Sequence, residues 1–166
     1  YSNDKLSSIY FGGGTPNLYH PEHYGRLMSF VDQLYGGVPD DIEITLEANP
    51  SSVEAANFAD LAKAGVNRVS LGLQALHDTD LKFLGRLHSV SESLQALEIA
   101  QQAFGRVSFD LIYARPGQTE EQWSAELERA LSFGTDHLSL YQLTIESGTR
   151  FADLYRLGKL RVPDDD

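Results

Sequence analysis

Residues 42–47 read Ile42-Glu43-Ile44-Thr45-Leu46-Glu47, the clearest strand pattern in the chain. Apolar and polar residues alternate strictly along it, which predicts a β-strand with one apolar face and one polar face. The same alternation recurs in Val69-Ser70-Leu71-Gly72-Leu73-Gln74 and in Val107-Ser108-Phe109-Asp110-Leu111-Ile112. Helical sequence separates these stretches, so we expect consecutive strands to be parallel.

The one-sided character of these strands predicts where the helices lie. Parallel strands with helices on both faces read as nearly continuous apolar runs. These strands are apolar on one face only, so we expect the helices on that face and a shared polar lumen on the other. Such an arrangement is typical of a (β/α) barrel, whose site lies at the C-terminal ends of the strands. Glu47, Gln74 and Asp110 close their strands at that end, which predicts a functional pocket.

Two more strands and six helical segments complete the predicted order. Strands are expected at residues 7–11 and 138–145, and helices near residues 21–35, 51–64, 79–84, 89–104, 119–133 and 151–157. Three of these helices begin with the spacing of a capping box, at Ser51/Glu54, Ser89/Glu92 and Thr119/Gln122. No linker divides the five strand–helix units, so residues 1–166 are read as one domain.

Length, charge and composition narrow the class of protein. The 166 residues suit one domain but are fewer than the roughly 250 of a complete eight-unit barrel. The net charge of −11 argues against nucleic acid and against an anionic membrane surface as partners. No apolar run reaches membrane-spanning length, and the absence of cysteine excludes a disulfide scaffold, so the cytoplasm is the expected compartment. The chain has no initiator Met and ends on Asp164-Asp165-Asp166, read as a solvated end, so we expect a piece of a longer protein.

A run of three glycines follows the first predicted strand, in Gly12-Gly13-Gly14-Thr15-Pro16. Glycine lets the backbone approach a ligand closely, and exposed amides can hold a carboxylate or phosphate. The alternative is a permissive turn, although one glycine would serve for that. No Gly-Lys-Ser/Thr follows, and the run does not open directly into a helix, so neither a Walker loop nor a dinucleotide fold is favoured.

Glu47 and Asp110 are carboxylates on the lumen side of separate strands. A buried carboxylate needs donors or a positive partner, and Arg68 and Arg86 are the nearest candidates in sequence. Each carboxylate alone could equally belong to a structural ion pair. Together with Gln74 they favour an amino-acid-like or ribose-like ligand, whereas Glu43 lies deeper in its strand and is read as structural. The five histidines lack metal-ligand spacing and are read as surface or loop residues.

Six segments follow one another in an order that is highly specific when taken together. They are residues 10–16 (YFGGGTP), 46–50 (LEANP), 65–74 (GVNRVSLGLQ), 85–89 (GRLHS), 110–113 with 116–119 (DLIY and PGQT) and 141–146 (YQLTIE). On these segments the chain resembles radical S-adenosylmethionine proteins. The group that it resembles most contains the oxygen-independent coproporphyrinogen III oxidases and their haem-chaperone relatives, with residues 47–50 and 141–146 more similar to the chaperone branch.

The resemblance implies a partial parallel (β/α)6 barrel of the radical S-adenosylmethionine type, with about five strand–helix units present here. It also implies S-adenosylmethionine and a [4Fe–4S] cluster as cofactors, with haem or another tetrapyrrole as a further ligand. Seven residues of this chain stand at positions that, in this family, hold S-adenosylmethionine. Gly13, Gly14 and Thr15 would hold its amino-acid end, and Glu47, Gln74, Arg86 and Asp110 would contact the amino acid and the ribose.

The sequence departs from the family pattern at two places. The family binds its cluster through a Cys-x-x-x-Cys-x-x-Cys loop, and this chain has no cysteine, so we expect that loop upstream of Tyr1 and a further domain beyond residue 166. Ala114-Arg115 stands where Gly-Leu is common. Three functions remain open: a haem chaperone that delivers haem to an acceptor protein, a coproporphyrinogen III oxidase, and a degenerate binding module without a cluster.

Overall fold

A computed structural model describes residues 5–163, except for the side chains of residues 17, 52 and 53. It has one five-stranded parallel sheet in which the strands lie in chain order, with β1 and β5 at the two edges. The predicted α/β class with parallel strands is confirmed, and the sheet is an open, partial barrel. The strands are β1 Ser8–Phe11, β2 Glu43–Ala48, β3 Arg68–Gln74, β4 Arg106–Tyr113 and β5 His137–Gln142.

Helical segments connect the strands and follow the last one. They are α1 Pro21–Tyr35, α2 Ser52–Ala55, α3 Phe58–Lys63, α4 Asp78–Phe83, α5 Val90–Ala103, α6 Glu120–Leu131 and α7 Arg150–Arg156, with a 3-10 turn at Pro16–Leu18. Two of the three predicted capping boxes are present, at Ser89/Glu92 and Thr119/Gln122. At Ser51/Glu54 the Ser51 hydroxyl accepts from the Glu54 N–H at 3.3 Å, while the Glu54 carboxylate accepts from the Asn49 N–H at 2.8 Å. Within residues 5–163, no helix is both long and apolar enough to cross a membrane. The acidic end at 164–166 lies outside the described residues.

The hydrophobic core lies between the apolar face of the sheet and the helices, as the alternation predicts. Leu46, Leu71 and Phe109 are fully buried there, and Phe58 from α3 packs edge-on against Phe104 at 5.6 Å between ring centres. The other face of the sheet carries buried hydroxyl groups from three neighbouring strands, Thr45, Ser70 and Ser108. The apolar face therefore supplies the stability, and the polar face lines the lumen.

Three predicted details were wrong. The helix expected at 51–64 is two short helices, because the Asn57 N–H bonds to the Glu54 carbonyl in a three-residue turn. Strand β5 ends at Gln142 and not at Ile145, because its neighbour β4 ends at Tyr113 and offers no ladder beyond it. The helical spacing of apolar residues predicts Leu27 and Leu34 on the buried face of α1 and Leu131 on that of α6, but these three are 45%, 47% and 64% exposed.

Asn67 fixes the register of β2 against β3. Its side chain accepts from the Ile44 N–H at 2.9 Å and donates to the Ile42 carbonyl at 2.7 Å, as a strand backbone would. Its own N–H donates to the Ile44 carbonyl at 3.1 Å. A shift of one residue would turn every side chain of β3 to the other face, so this contact decides which residues reach the lumen.

Candidate functional site

A cavity of about 150 Å3 lies at the C-terminal ends of the first four strands. Its lining includes five of the seven residues predicted from the sequence, which are Gly14, Thr15, Glu47, Gln74 and Asp110. Pro16, Ala48, Asn49, Ser70 and Gly72 complete it. The shared polar parity of the strands thus brings Glu47, Gln74 and Asp110 to one place beside the glycine turn.

The three glycines of the turn serve two different purposes. Gly13 and Gly14 have φ values of +81° and +63°, a left-handed conformation that glycine adopts without steric cost. Gly12 has no such φ, but a Cβ built there would lie 2.6 Å from Cε1 of Tyr10 and 3.1 Å from Oε2 of Glu47. The first glycine therefore makes room for the Tyr10 ring, and the other two turn the chain.

Glu47 is held by groups of this chain on both of its oxygens. The Tyr10 hydroxyl donates to Oε1 at 2.6 Å, and the Gly13 N–H donates to Oε2 at 3.1 Å. Burial of the phenol, its hydrogen bond to Glu47 and the charge of that carboxylate raise the pKa of Tyr10 to about 12. A carboxylate has about four lone-pair sites, so Glu47 can still accept hydrogen bonds from a ligand.

Asp110 is half-buried in the lumen, whereas its neighbours Phe109 and Leu111 are fully buried among the helices. Burial raises the pKa of its carboxyl group, and the charge of Glu47 acts in the same direction, against the lowering effect of hydrogen bonds from Ser139 and Ser70. The Ser70 hydroxyl lies 3.4 Å from Oδ1. Asp110 is thus an acceptor with few donors of its own, which suits a ligand that brings hydroxyl or ammonium groups.

A chain of polar contacts runs through the lumen below Asp110. The Arg68 guanidinium contacts Glu43 Oε1 at 3.3 Å and the Ser108 hydroxyl at 3.0 Å. Ser108 donates to Ser70 at 3.0 Å, and Ser70 reaches Asp110. Arg68 therefore forms its ion pair with Glu43. The sequence had suggested Glu47 or Asp110 as its partner. Glu43 also pairs with Arg106, which agrees with the structural role expected for it.

Gln74 has an unusual backbone. Its φ is +72°, and the N–H of Ala75 donates to the carbonyl of Leu73 at 2.9 Å, which makes Gln74 the centre of a three-residue γ-turn. A residue with a Cβ in this conformation costs about 1–2 kcal/mol. The Gln74 amide packs against Gly72, which has no side chain. A Cβ at residue 72 would lie only 2.9 Å from Nε2 of Gln74, so a larger residue there would displace the amide. The strained turn thus places the amide in the cavity.

The two other predicted site residues do not line this cavity. Gly13 contacts it only through its N–H bond to Glu47. Arg86 is half-buried near His88, and its Nε is buried with no hydrogen-bond partner among the described residues. The N–H at Arg86 Nε could therefore donate to an acceptor from outside the described residues. Arg86 does not line the cavity that contains Glu47 and Asp110.

A larger cavity of about 460 Å3 lies between the loops that follow β3 and β4, and it shares no residue with the first. The Arg115 guanidinium lies there at 3.0 Å from Asp80 and 2.5 Å from Glu126, so one cation faces two carboxylates, and its buried Nε has no hydrogen-bond partner among the described residues. Arg115 is 3% exposed, and the residue before it, Ala114, has a φ of +56°. The departure Ala114-Arg115 is therefore a buried ion pair beside a strained alanine.

Three residues that matter here were missed in the sequence. Tyr10 lies on the lumen face of β1 by the same period-2 alternation that identified Glu47, and that signal could have found it. Glu126 stands where the helical period of α6 predicts an apolar residue, between Trp123 and Ala130. His88 lies in a loop, as expected, but the contact of its Nε2 with the Leu73 carbonyl at 3.3 Å was not predicted, and burial lowers its pKa.

The side chains and backbone groups of this site suit a polar organic ligand and not a metal ion or an iron–sulfur cluster. In the part of the chain that the structure describes, no group of three or more His, Asp or Glu side chains could hold a metal ion. The sequence contains no cysteine, so it supplies no thiolate for an iron–sulfur cluster. The backbone amides, carboxylates and amide side chain of the small cavity fit a polar organic ligand.

Comparisons with known proteins agree with this geometry. The sequence model of the radical SAM superfamily matches residues 1–130. The chain is 45% identical over 164 residues to mouse radical S-adenosyl methionine domain-containing protein 1, mitochondrial, covering 98% of this chain and 37% of that protein. It is 43% identical over 164 residues to heme chaperone HemW of Haemophilus influenzae, covering 98% and 41%.

A solved structure has the same fold. Coproporphyrinogen III oxidase HemN from Escherichia coli, a radical SAM enzyme, superposes with a TM-score of 0.79 at 26% identity, over 99% of this chain and 38% of that chain. The chain spans about 40% of the length of the curated relatives that it matches. On the sequence match, the relatives and the shared sheet, this chain belongs to the radical SAM superfamily.

Proposed function

We propose that the small cavity binds S-adenosylmethionine, and that the whole protein is a haem chaperone. The observation that carries the proposal is the convergence of Glu47, Gln74 and Asp110 on one cavity beside the glycine turn. The cavity of about 150 Å3 suits part of such a ligand, and its acceptors suit an ammonium group and ribose hydroxyls.

Each group of the cavity has a chemical task in this proposal. The N–H of Gly14 and the hydroxyl of Thr15 hold the amino-acid end of the ligand, and Gly13 acts through its N–H bond to Glu47. Asp110 accepts hydrogen bonds from hydroxyl groups, and the Gln74 amide can both donate and accept. Glu47 attracts the ammonium group while Tyr10 and Gly13 fix its orientation.

Arg86 has a separate place in the proposal. Its buried and unmet Nε would meet an acceptor such as the ligand carboxylate. Because Arg86 does not line the cavity here, this role requires the side chain to swing towards it.

Radical SAM proteins generally use S-adenosylmethionine with a [4Fe–4S] cluster, and in the whole protein such a cluster would supply one-electron reduction of the bound S-adenosylmethionine. The cluster ligands are proposed to lie in the rest of the protein, since this chain offers no thiolate. The contribution of the chain is to bind and orient the ligand in the lumen and to shield it from water on the side of the sheet.

The choice between chaperone and oxidase rests on the relatives. The protein named as a heme chaperone is 43% identical to the chain, whereas the oxidase with a solved structure is 26% identical. The oxidase remains the alternative, because its structure superposes over 99% of the chain. As an oxidase, the protein would decarboxylate two propionate groups of coproporphyrinogen III.

Partners and compartment follow from the same proposal. The ligands are S-adenosylmethionine and a tetrapyrrole, with a haem-accepting protein as the macromolecular partner, and the acidic charge argues against nucleic acid. The proposed compartment is the cytoplasm. Because the mouse relative is named as mitochondrial, fractionation of cells must distinguish the cytoplasm from the mitochondrion.

The experiment uses the full-length protein with its cluster reconstituted under anaerobic conditions. Calorimetric titration measures S-adenosylmethionine binding to the wild type and to Asp153→Asn, a control that removes an exposed carboxylate on α7. Two assays then run in parallel: transfer of haem to an apoprotein acceptor, and decarboxylation of coproporphyrinogen III followed by chromatography. Haem transfer without decarboxylation supports the chaperone, decarboxylation supports the oxidase, and no S-adenosylmethionine binding would refute the proposed site.

A further inference from the structure

The strained turn at Gln74 raises the question of what holds it. A γ-turn with positive φ is rare, and it persists only where the surrounding structure over-determines it. The residue two positions later, Leu76, is 1% exposed and has both of its backbone groups bound by α6 side chains. The loop after β3 is therefore tied to a helix that begins after the next strand.

The two contacts to Leu76 come from residues one turn apart on α6. Its N–H donates to Oε1 of Glu126 at 2.7 Å, and its carbonyl accepts from Nη1 of Arg129 at 3.2 Å. The Ala75 N–H donates to the Leu73 carbonyl, so the backbone is hydrogen-bonded at Leu73 before Gln74 and at Ala75 and Leu76 after it.

Glu126 is itself held by a buried cation. It is 3% exposed, and its Oε2 accepts from Nη2 of Arg115 at 2.5 Å and from Nε2 of Gln118 at 3.3 Å. The other arm of the Arg115 guanidinium, Nη1, donates to the Ile112 carbonyl on β4 at 2.6 Å. Glu126, Arg129 and Arg115 form what we term the Leu76 clamp, which connects β4 and α6 to the loop after β3.

We propose that the Leu76 clamp is a positioning device for the ligand site: it holds Gln74 in its left-handed turn and thereby keeps the Gln74 amide in the cavity. This inference rests on the proposed S-adenosylmethionine site and adds residues that do not touch it. It also gives a task to Arg115, the buried arginine that replaces the leucine of the common pattern.

A double-mutant cycle on the reconstituted full-length protein tests the proposal. Gln74→Ala and Glu126→Ala are each expected to raise the Kd for S-adenosylmethionine about tenfold, and the double variant no further than either single variant, because both act through the same amide. Leu97→Ala in α5, a buried residue outside the clamp, is the matched control: it lowers Tm and leaves Kd within about twofold. Additive effects on Kd, or a lowered Tm with an unchanged Kd, would overturn the proposal.

Two further measurements keep the test decisive if Glu126→Ala does not fold or if the wild type binds no ligand. Arg129→Met removes the bond to the Leu76 carbonyl from an exposed side chain, and it is expected to raise Kd about threefold. Amide hydrogen exchange at Ala75 and Leu76 is expected to be about tenfold faster in Arg129→Met, with Leu71 in β3 unchanged. Unchanged exchange at Ala75 and Leu76 refutes the clamp, whereas a wild type without affinity refutes only the proposed function.

Discussion

The Tyr10 hydroxyl lies 2.6 Å from Glu47 Oε1, so that β1 and β2 are joined by side chains at the rim of the cavity as well as by their backbones. The contact depends on Gly12, because any larger residue there would collide with the Tyr10 ring. With the Gly13 N–H on its second oxygen, Glu47 is held in one orientation before a ligand arrives.

Tyr10 should ionise at a much higher pH than an ordinary tyrosine. Its pKa of about 12 reflects burial of the phenol and the neighbouring Glu47 carboxylate. In full-length protein labelled with 13C-tyrosine, the NMR resonance that Tyr10→Phe removes is expected to stay constant up to about pH 10.5. Tyr10→Phe should cost only about 0.5–1 kcal/mol of stability, because the residue as a whole is 58% exposed, although its hydroxyl group is partly desolvated beside Glu47.

Gly12→Ala provides a second way to break the same contact without removing the hydroxyl. Displacement of the Tyr10 ring should lower the pKa of Tyr10 towards its ordinary value. A Tyr10 resonance that titrates near pH 10 in the wild type would show that the hydrogen bond to Glu47 does not form.

Asp110→Asn should weaken ligand binding while the fold survives. The amide keeps the shape but replaces an acceptor oxygen by a donor, which leaves a mispaired group and costs about 1–3 kcal/mol. The affinity for S-adenosylmethionine is then expected to fall roughly ten- to a hundredfold in calorimetric titration. Asp153→Asn is the matched control, and an unchanged affinity with a lowered Tm would make Asp110 a structural residue.

The same variant should change how stability depends on pH. Burial raises the pKa of Asp110 in the folded protein above its ordinary value of 3.8, so the folded state binds more protons than the unfolded state between the two values. The stabilising contribution is therefore complete below the ordinary value and is lost as the pH rises through the folded pKa. In urea unfolding of the ligand-free protein, Asp110→Asn is expected to gain stability relative to the wild type as the pH rises from acid to neutral. A difference that does not vary with pH would contradict the expectation.

Two residues with positive φ, Ala114 and Gln74, allow a matched comparison of strain and binding. Ala114→Gly and Gln74→Gly should each relieve about 1 kcal/mol of strain, less a few tenths for the more flexible unfolded chain. Each Tm is expected to rise by about 1–3 °C in thermal unfolding. Only Gln74→Gly should also lower the affinity for S-adenosylmethionine, because it removes an amide from the cavity; equal affinities in the two variants would exclude Gln74 from the site.

The sequence was most informative where a local pattern determines the geometry. Strand parity placed Glu47 and Asp110 on the lumen side, and the parallel connections brought their strand ends together. The capping boxes of α5 and α6 were predictable because both partners lie within three residues of each other.

Contacts that depend on the path of a loop were not predictable. The bond of Glu126 to the Leu76 N–H joins residues that are far apart in the chain, and no periodicity specifies it. Arg68 was assigned the wrong partner because parity gives the face of a residue but not its depth in the lumen, where Glu43 lies nearer. The seven-residue ligand set remains a prediction, with Arg86 outside the cavity.

The chain-order arrangement of the strands has a consequence for how this protein is made. From β2 onwards each strand pairs with the strand synthesised just before it, so the sheet can grow by one strand–helix unit at a time as the chain leaves the ribosome. Pairing between chain neighbours keeps each loop closure shorter than a crossed strand order would, although every parallel pair still needs a crossover connection. At every stage the newest strand is an open edge, and the next strand to emerge from the ribosome covers it.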